Sequence, residues 1–249
     1  MATMTLQSRL NDTQAIRGAI LPEQHSAAKV AGLIYLLAMA ASMFAELYAR
    51  APLMVRGDAA QTAINIAASA GLFRVGSVIH LLTFASDAVL AIALYVVLRP
   101  INKGVALLAA SWRLVDCAIL SVNLLNDFAI LRLVSGASYL SAFDTKQLQS
   151  LVRLFLSIEA SGFQAGFVFL GLGSTAFSYL WLRSHYIPTA LAGLGIFASS
   201  VLAIITLVCV LFPRLGETIG LTYMAPMFFY EVGLGLWLLI KGIRMPNHQ

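Results

Sequence analysis

The stretch VGSVIHLLTFASDAVLAIALYVVL at residues 75–98 decides the fold class. It is long enough to cross a bilayer, because a spanning helix needs about 20 predominantly apolar residues. The whole chain has the same character: 60% of its 249 residues are hydrophobic, 11% are charged, and the mean hydropathy is +0.86. A soluble domain is about 45–50% apolar and about 25% charged. The composition therefore indicates a membrane protein and excludes a soluble enzyme, a disordered chain, a coiled coil and a disulfide scaffold.

Six apolar stretches of this kind predict an all-α fold, a polytopic membrane helix bundle. The predicted spans are residues 30–49, 75–98, 104–131, 160–182, 189–212 and 222–240. Two short helices are expected in interfacial or extramembrane positions, near 59–70 and 145–158. Each follows a capping-box pattern, Asp58 with Gln61 and Asp144 with Gln147, in which two side chains satisfy the free backbone N–H groups of a helix start. The second of these helices continues into the fourth span without a breaker, so it must protrude, lie flat or kink near Ser161 and Gly162.

The predicted domain organisation is a polar N-terminal segment at 1–29, a single membrane domain at 30–243 and a tail at 244–249. Six spans place both termini on one side of the membrane. The short, acid-free turns Arg99–Lys103 and Leu182–Pro188 lie on that side, and positive charge in short loops favours the cytoplasm. We therefore expect cytoplasmic termini and the lipid bilayer as the main partner. The chain has no basic patch suited to nucleic acid, so no nucleic-acid partner is expected.

Ionisable side chains within the spans are the best pointers to function, because each is costly at bilayer depth. Arg113 and Asp116 are three residues apart on one face of the third span, and Asn123 and Asp127 continue that face. The candidate ligand-binding residues are His80, Asp87, Arg113, Asp116 and Glu231. The secondary candidates are Arg74, Asn123, Asp127 and Glu159.

Two interpretations of these residues stay open. In the first, Arg113 holds a small anionic or zwitterionic ligand or a lipid while an acid changes protonation; His80 belongs here because imidazole ordinarily titrates near neutral pH. In the second, the charges pair only to let the helices pack. Three functions remain open: that of a protein that binds or transports a small ligand or ion, that of a membrane-embedded enzyme acting on a lipid or quinone, and that of a non-catalytic assembly protein.

Motif searches add little chemistry to this picture. We assign no catalytic residue, expect no cofactor, and find no metal-ligand spacing such as His-x-x-x-His or Cys-x-x-Cys. Small-residue faces occur at Gly162-x-x-x-Gly166, Gly171-x-Gly173 and Gly233-x-Gly235. Such faces usually serve close helix packing within one chain, and a homodimer is the alternative.

The chain resembles a bacterial family of six-span membrane proteins, the domain-of-unknown-function family 4386, from about Lys29 to Gly242. The motifs that carry the resemblance include AGLIYL at 31–36, LFR at 72–74, RLV at 113–115, NLLN at 123–126, GASY at 136–139, RSHYIP at 183–188 and LWLL at 236–239. The resemblance implies six spans in a bacterial inner membrane. It also implies that Arg74, Arg113 and Glu231 occupy family-typical positions, and it implies no activity.

Overall fold

The structure of the protein is a computed structural model that describes residues 21–55, 57–220 and 222–244. The first twenty residues of the predicted N-terminal segment and residues 245–249 of the predicted tail lie outside the described residues. Within the described part the chain is 88% helical and contains no strand. The all-α prediction is confirmed.

Six helical segments are long and apolar enough to cross a membrane, as predicted. They are Pro22–Leu53, Ala70–Leu98, Lys103–Leu133, Thr145–Ser184, Thr189–Leu211 and Thr222–Ile240, and they are called the first to sixth spans below. Shorter helices cover Ala59–Ala68, between the first two spans, and Pro213–Ile219, between the last two. Single 3-10 turns cover Ser138–Ala142 and Thr222–Met224.

The first span is longer than predicted at both ends. Its α-helix begins at Pro22, about two turns before the predicted start at residue 30. It then continues through a π-helical turn, Ala45–Arg50, and a 3-10 turn, Ala51–Leu53. Pro52 explains why the regular helix stops here, since proline cannot donate a backbone hydrogen bond and its ring clashes with the preceding turn. The π turn places Arg50 inside the protein, whereas the sequence placed it in a loop.

The third and fourth spans also differ from the predicted elements. The third is interrupted at Leu124, where the amide of Asn126 donates to the backbone carbonyl of Asn123 at 2.9 Å; side chains that bond to the helix backbone commonly bend helices. The fourth is one continuous α-helix of 40 residues that includes Ser161 and Gly162. The predicted helix near 145–158 is therefore present as its first part rather than as a separate element.

The two capping boxes have different outcomes. At Asp144 and Gln147 both reciprocal hydrogen bonds form, at 2.9 and 2.8 Å. At Asp58 only the carboxylate bond to the Gln61 backbone forms, at 2.8 Å, because the Gln61 side chain donates to Asn65 instead.

The six spans form a closed ring in chain order. Each span packs against the one before it and the one after it, and the sixth packs against the first. Glycines permit several of these contacts within the one chain: a Cβ atom on Gly171 would collide with Ala203 of the fifth span, and one on Gly173 would collide with Arg113 of the third. A Cβ on Gly32 would collide with the backbone of the sixth span. The small-residue faces of the fourth and sixth spans thus serve packing inside the ring.

The end of the ring that carries both ends of the described chain is filled with side chains. This termini end includes a buried core of large residues: Tyr35, Leu94, Leu98, Phe177, Leu180, Trp181, Leu202, Tyr230, Leu234 and Leu238. The Ser178 hydroxyl donates to the Tyr230 hydroxyl at 2.9 Å across this core. The Gln24 amide donates to the Val97 carbonyl at 2.9 Å, and the Arg244 N–H donates to the Tyr186 carbonyl at 3.1 Å.

At the opposite end of the ring, called the distal end below, a smaller cluster of buried hydrophobic residues packs on one side. Ile66 of the short helix Ala59–Ala68 packs there with Phe73, Ile130 and Val152. The first part of the fourth span therefore packs against this helix and against the neighbouring ends of the second and third spans. Between the termini end and the distal end the centre of the ring is open.

Candidate functional site

A cavity of about 760 Å³ lies in the centre of the ring. Its volume is within the range of about 300–1,000 Å³ typical of small-molecule sites. Most of the wall is apolar, but eight charged or imidazole side chains line it: Glu46, Arg50, His80, Asp87, Arg113, Asp116, Glu159 and Glu231. All five primary candidates from the sequence are among them, and the eight side chains come from five different spans.

The Arg113 cluster consists of Asp87, Arg113, Asp116 and Glu231. The Arg113 guanidinium lies 3.9 Å from the Asp87 carboxylate and 3.8 Å from the Asp116 carboxylate. Both separations exceed the length of a charge-assisted hydrogen bond, about 2.7–2.9 Å. The charges therefore attract one another without direct hydrogen bonds, and a water or ligand group to one side could bridge them.

Arg113 is buried, with 2% of its surface exposed, and is poorly satisfied. Its Nε and Nη1 atoms, and Oδ1 of Asp116, have no hydrogen-bond partner among the described residues. The stem of Arg113 packs against the bare backbone of Gly173, where a Cβ atom would come within 2.9 Å of the arginine Cγ. Buried polar groups without partners are rare and costly, so Arg113 retains hydrogen-bonding capacity that its neighbours in the fold do not use.

The Arg50 cluster, formed by Arg50, Asp127 and Glu159, has the opposite character. Arg50 is 5% exposed and donates to Asp127 at 2.6 Å and also to Glu159. The Ser77 hydroxyl donates to the same Asp127 carboxylate at 2.6 Å. Glu46, one helical turn before Arg50, lies 3.7 Å from it at the cavity wall. Every member of this cluster is held by direct bonds between spans.

Arg50 is the residue that sequence reasoning missed. It follows the predicted first span directly, and a basic residue at that place ordinarily belongs to a loop. A charge count would have suggested it, since Arg113 is the single basic residue in the middle of a predicted span and the acids there outnumber it, while buried charges are paired. The second signal is the spacing of Glu46 and Arg50, one helical turn apart.

His80 lines the cavity between two aromatic rings. Its imidazole stacks on Phe84 with ring centroids 5.8 Å apart and meets the edge of Phe163 at 6.4 Å. Its Nδ1 atom is buried and has no partner in the described part of the chain. No direct hydrogen bond or ion pair within those residues joins His80 to the Arg113 cluster, although both face the same cavity.

The secondary candidates have separate roles. Asp127 and Glu159 belong to the Arg50 cluster, and the Asn123 amide donates to the Glu159 backbone carbonyl at 2.8 Å. Arg74 is exposed and is absent from the cavity wall. The structure therefore does not bring Arg74 together with the other candidates; it lies in the first turns of the second span.

No metal-binding group of three or more His, Cys, Asp or Glu side chains occurs in residues 21–55, 57–220 and 222–244. Cys117 and Cys209 are both buried and free. The cavity wall contains carboxylates, two guanidinium groups and one imidazole, together with hydroxyl groups, the Gln164 amide and the Cys209 thiol.

A family model described as a domain of unknown function, DUF4386, matches residues 30–242. The match covers most of the chain, so the protein belongs to this family. No curated protein and no solved structure matches the chain. The family assignment agrees with the six spans and carries no activity with it.

Proposed function

We propose that this DUF4386 protein binds a small ligand in its central cavity and moves it across the membrane, with the Arg113 cluster as the binding site. One observation carries the proposal: four ionisable groups surround a cavity at bilayer depth without direct hydrogen bonds to one another. An ion-pair cluster that only fastened helices would be expected to close up, as the Arg50 cluster does. Charged side chains that line a cavity without bonding to one another are suited to bind a ligand that satisfies their hydrogen-bonding groups.

The cluster offers complementary groups for a polar ligand. Arg113 can donate to an acceptor or anionic group, while Asp87 and Glu231, on the second and sixth spans, can accept from a donor or exchange a proton. Because these residues lie on three spans, a ligand between them would bind the ring together. Movement of the sixth span against the others would then change access to the site, which is the usual arrangement in transporters with a binding site near the bilayer midplane.

The proposal includes an orientation in a bacterial inner membrane with cytoplasmic termini. The short basic turns Arg99–Lys103 and Leu182–Pro188 favour it. Arg50, which counts as a loop charge on the other side in the sequence, is buried in an ion pair, so it no longer weighs against this orientation. A C-terminal alkaline phosphatase fusion should be inactive and a C-terminal green fluorescent protein fusion bright; an active phosphatase fusion would contradict the orientation.

The cavity favours ligand binding over the two alternative functions. A purely structural assembly protein does not require about 760 Å³ of space beside unbonded charges. For an enzyme, His80 is the natural acid–base group, yet its neighbours are the rings of Phe84 and Phe163 rather than a carboxylate that would orient it.

Native mass spectrometry of the protein from a mild detergent tests the proposal. We expect a co-purifying small molecule or defined lipid on the wild type that is lost from Asp87→Asn and from Glu231→Gln. The matched control is Glu23→Gln, which removes a carboxylate from an exposed pair with Arg99 outside the cavity. Retention of the same mass by both cavity variants, at wild-type thermal stability, would reject the site.

A further inference from the structure

The central cavity contains more acidic than basic side chains. Its wall presents five carboxyl groups and two guanidinium groups, with Asp127 directly behind Arg50. The fifth span, Thr189–Leu211, has no charged residue with which to change this balance. The short helix Pro213–Ile219 contributes Gly216 to the wall, whereas its Arg214 is exposed and absent from it.

Neither guanidinium group is free of carboxylate partners. Arg50 is bonded to both Asp127 and Glu159, and Glu46 lies 3.7 Å away. Arg113 is shared between Asp87 and Asp116, with Glu231 on the same cavity wall. An anion placed in the cavity would therefore meet carboxyl groups beside each guanidinium group, whereas a cation could bind to Asp87 or Glu231 in a medium where Coulomb interactions are strong.

The apolar part of the wall is suited to a large cation. Aromatic rings and thioethers make up much of it: Phe84, Phe163, Phe167, Tyr223, Met39, Met43, Met54 and Met224. Aromatic faces attract cations, especially where water is excluded. Methionine side chains adapt to ligands of irregular shape.

We propose that the ligand of the cavity is an amphipathic organic cation, with its charged centre beside Asp87 and Glu231 and its apolar body against the aromatic and methionine wall. This inference rests on the proposed function and names its ligand class. A zwitterion with an exposed cationic centre belongs to this class if its acid group reaches Arg113. A simple organic anion does not.

Two probes of matched shape and opposite charge test the inference. Tetraphenylphosphonium and tetraphenylborate have the same four aryl groups, so a difference in their binding reports the sign of the charge. Equilibrium dialysis of each against the purified protein, with protein-free micelles as the blank, should give saturable binding of the phosphonium and only micelle partitioning of the borate. The double variant Asp87→Asn, Glu231→Gln should weaken phosphonium binding about tenfold or more, and Glu23→Gln should leave it unchanged.

Arg113→Gln provides a second test if the double variant does not fold. Removing this cation frees carboxylates and should tighten phosphonium binding by about threefold or more, because a like charge leaves the site. Weaker phosphonium binding in Arg113→Gln would overturn the cation inference.

The outcomes separate this inference from the proposed function. Saturable borate binding that disappears in Arg113→Gln would overturn the cationic ligand while leaving a ligand site at Arg113. Absence of saturable binding for both probes would also overturn the inference, and the co-purifying mass would then decide whether the site binds any ligand.

Discussion

The two buried arginines of this protein differ in how they are paired. Arg50 is bonded directly to carboxylates of the third and fourth spans, and a serine hydroxyl donates to one of them. Arg113 stands 3.8 and 3.9 Å from its acids and leaves two of its nitrogens without partners in the described residues. The first arrangement fastens three spans together, whereas the second leaves hydrogen-bonding capacity unused. Both arginines are buried, so direct hydrogen bonding is the property that separates them.

The largest effect is expected at Arg50. Replacing it with glutamine leaves Asp127 and Glu159 buried without their cation, and breaking a buried ion pair in this way typically costs about 3–5 kcal/mol. Thermal unfolding in detergent should show a large fall in the midpoint for Arg50→Gln. A shift no greater than that of the exposed-pair variant Arg99→Gln would remove the distinction between the clusters.

Arg113→Gln is expected to have a smaller effect on stability. Since no direct hydrogen bond is lost, the cost should be about 1–3 kcal/mol, between that of an exposed pair and that of a fully bonded buried pair. The same thermal measurement, made side by side with Arg50→Gln, checks the order. If Arg113→Gln proved the more damaging of the two, the guanidinium would have to be regarded as a structural group.

Gly173→Ala sharpens the comparison by displacing Arg113 without changing its charge. The added Cβ would meet Arg113 Cγ at 2.9 Å and the Ala109 carbonyl at 3.0 Å. Because the arginine stem is flexible, we expect a stability loss near the lower end of the range for overpacking, about 1 kcal/mol, together with a changed affinity for the phosphonium probe.

Gly193→Ala is the matched control for this change. Gly193 lies in the fifth span and a Cβ there has no neighbour within 4 Å. The alanine should therefore be neutral or stabilising by up to about 1 kcal/mol. Equal changes in both glycine variants, by thermal unfolding and by phosphonium dialysis, would show that Gly173 has no special relation to Arg113.

The smallest effect is expected at the exposed pair of Arg99 and Glu23, whose atoms are 2.6 Å apart. Surface ion pairs contribute about 0–1 kcal/mol because water screens them and both side chains lose freedom. Arg99→Gln should therefore shift the unfolding midpoint little and leave ligand binding intact. A loss comparable with that of Arg50→Gln would mean that this pair controls closure of the termini end.

The sequence predicted the six spans because hydropathy is a local property. It also predicted that Arg113 and Asp116 lie together, since residues three apart share a helix face. The Arg50 cluster could not be predicted in this way, because Arg50 and Glu159 are separated by 109 residues and nothing in their spacing relates them. Arg50 lies inside the protein rather than in a loop because it belongs to the π-helical turn before Pro52.

The same limit applies to the site. Mid-span position correctly selected His80, Asp87 and Glu231 as residues that face the ring centre, but it could not separate two clusters with different bonding. Arg74 was selected from its family-typical position, and the structure places it on the exposed surface rather than at the cavity wall. Side-chain direction relative to the ring depends on packing between spans, which local sequence does not specify.

The cyclic order of the spans has a consequence for biosynthesis. Because each span contacts its immediate predecessor, most of the protein can assemble stepwise as the chain emerges from the ribosome, with only short loops to close. The contact between the first and sixth spans is the exception, since it joins the two ends of the described chain through close approach at Gly32 and Gly235. The ring therefore closes only when the sixth span, which carries Glu231, has been synthesised. A ribosome-bound chain without this span would lack the complete cavity and the fourth member of the Arg113 cluster.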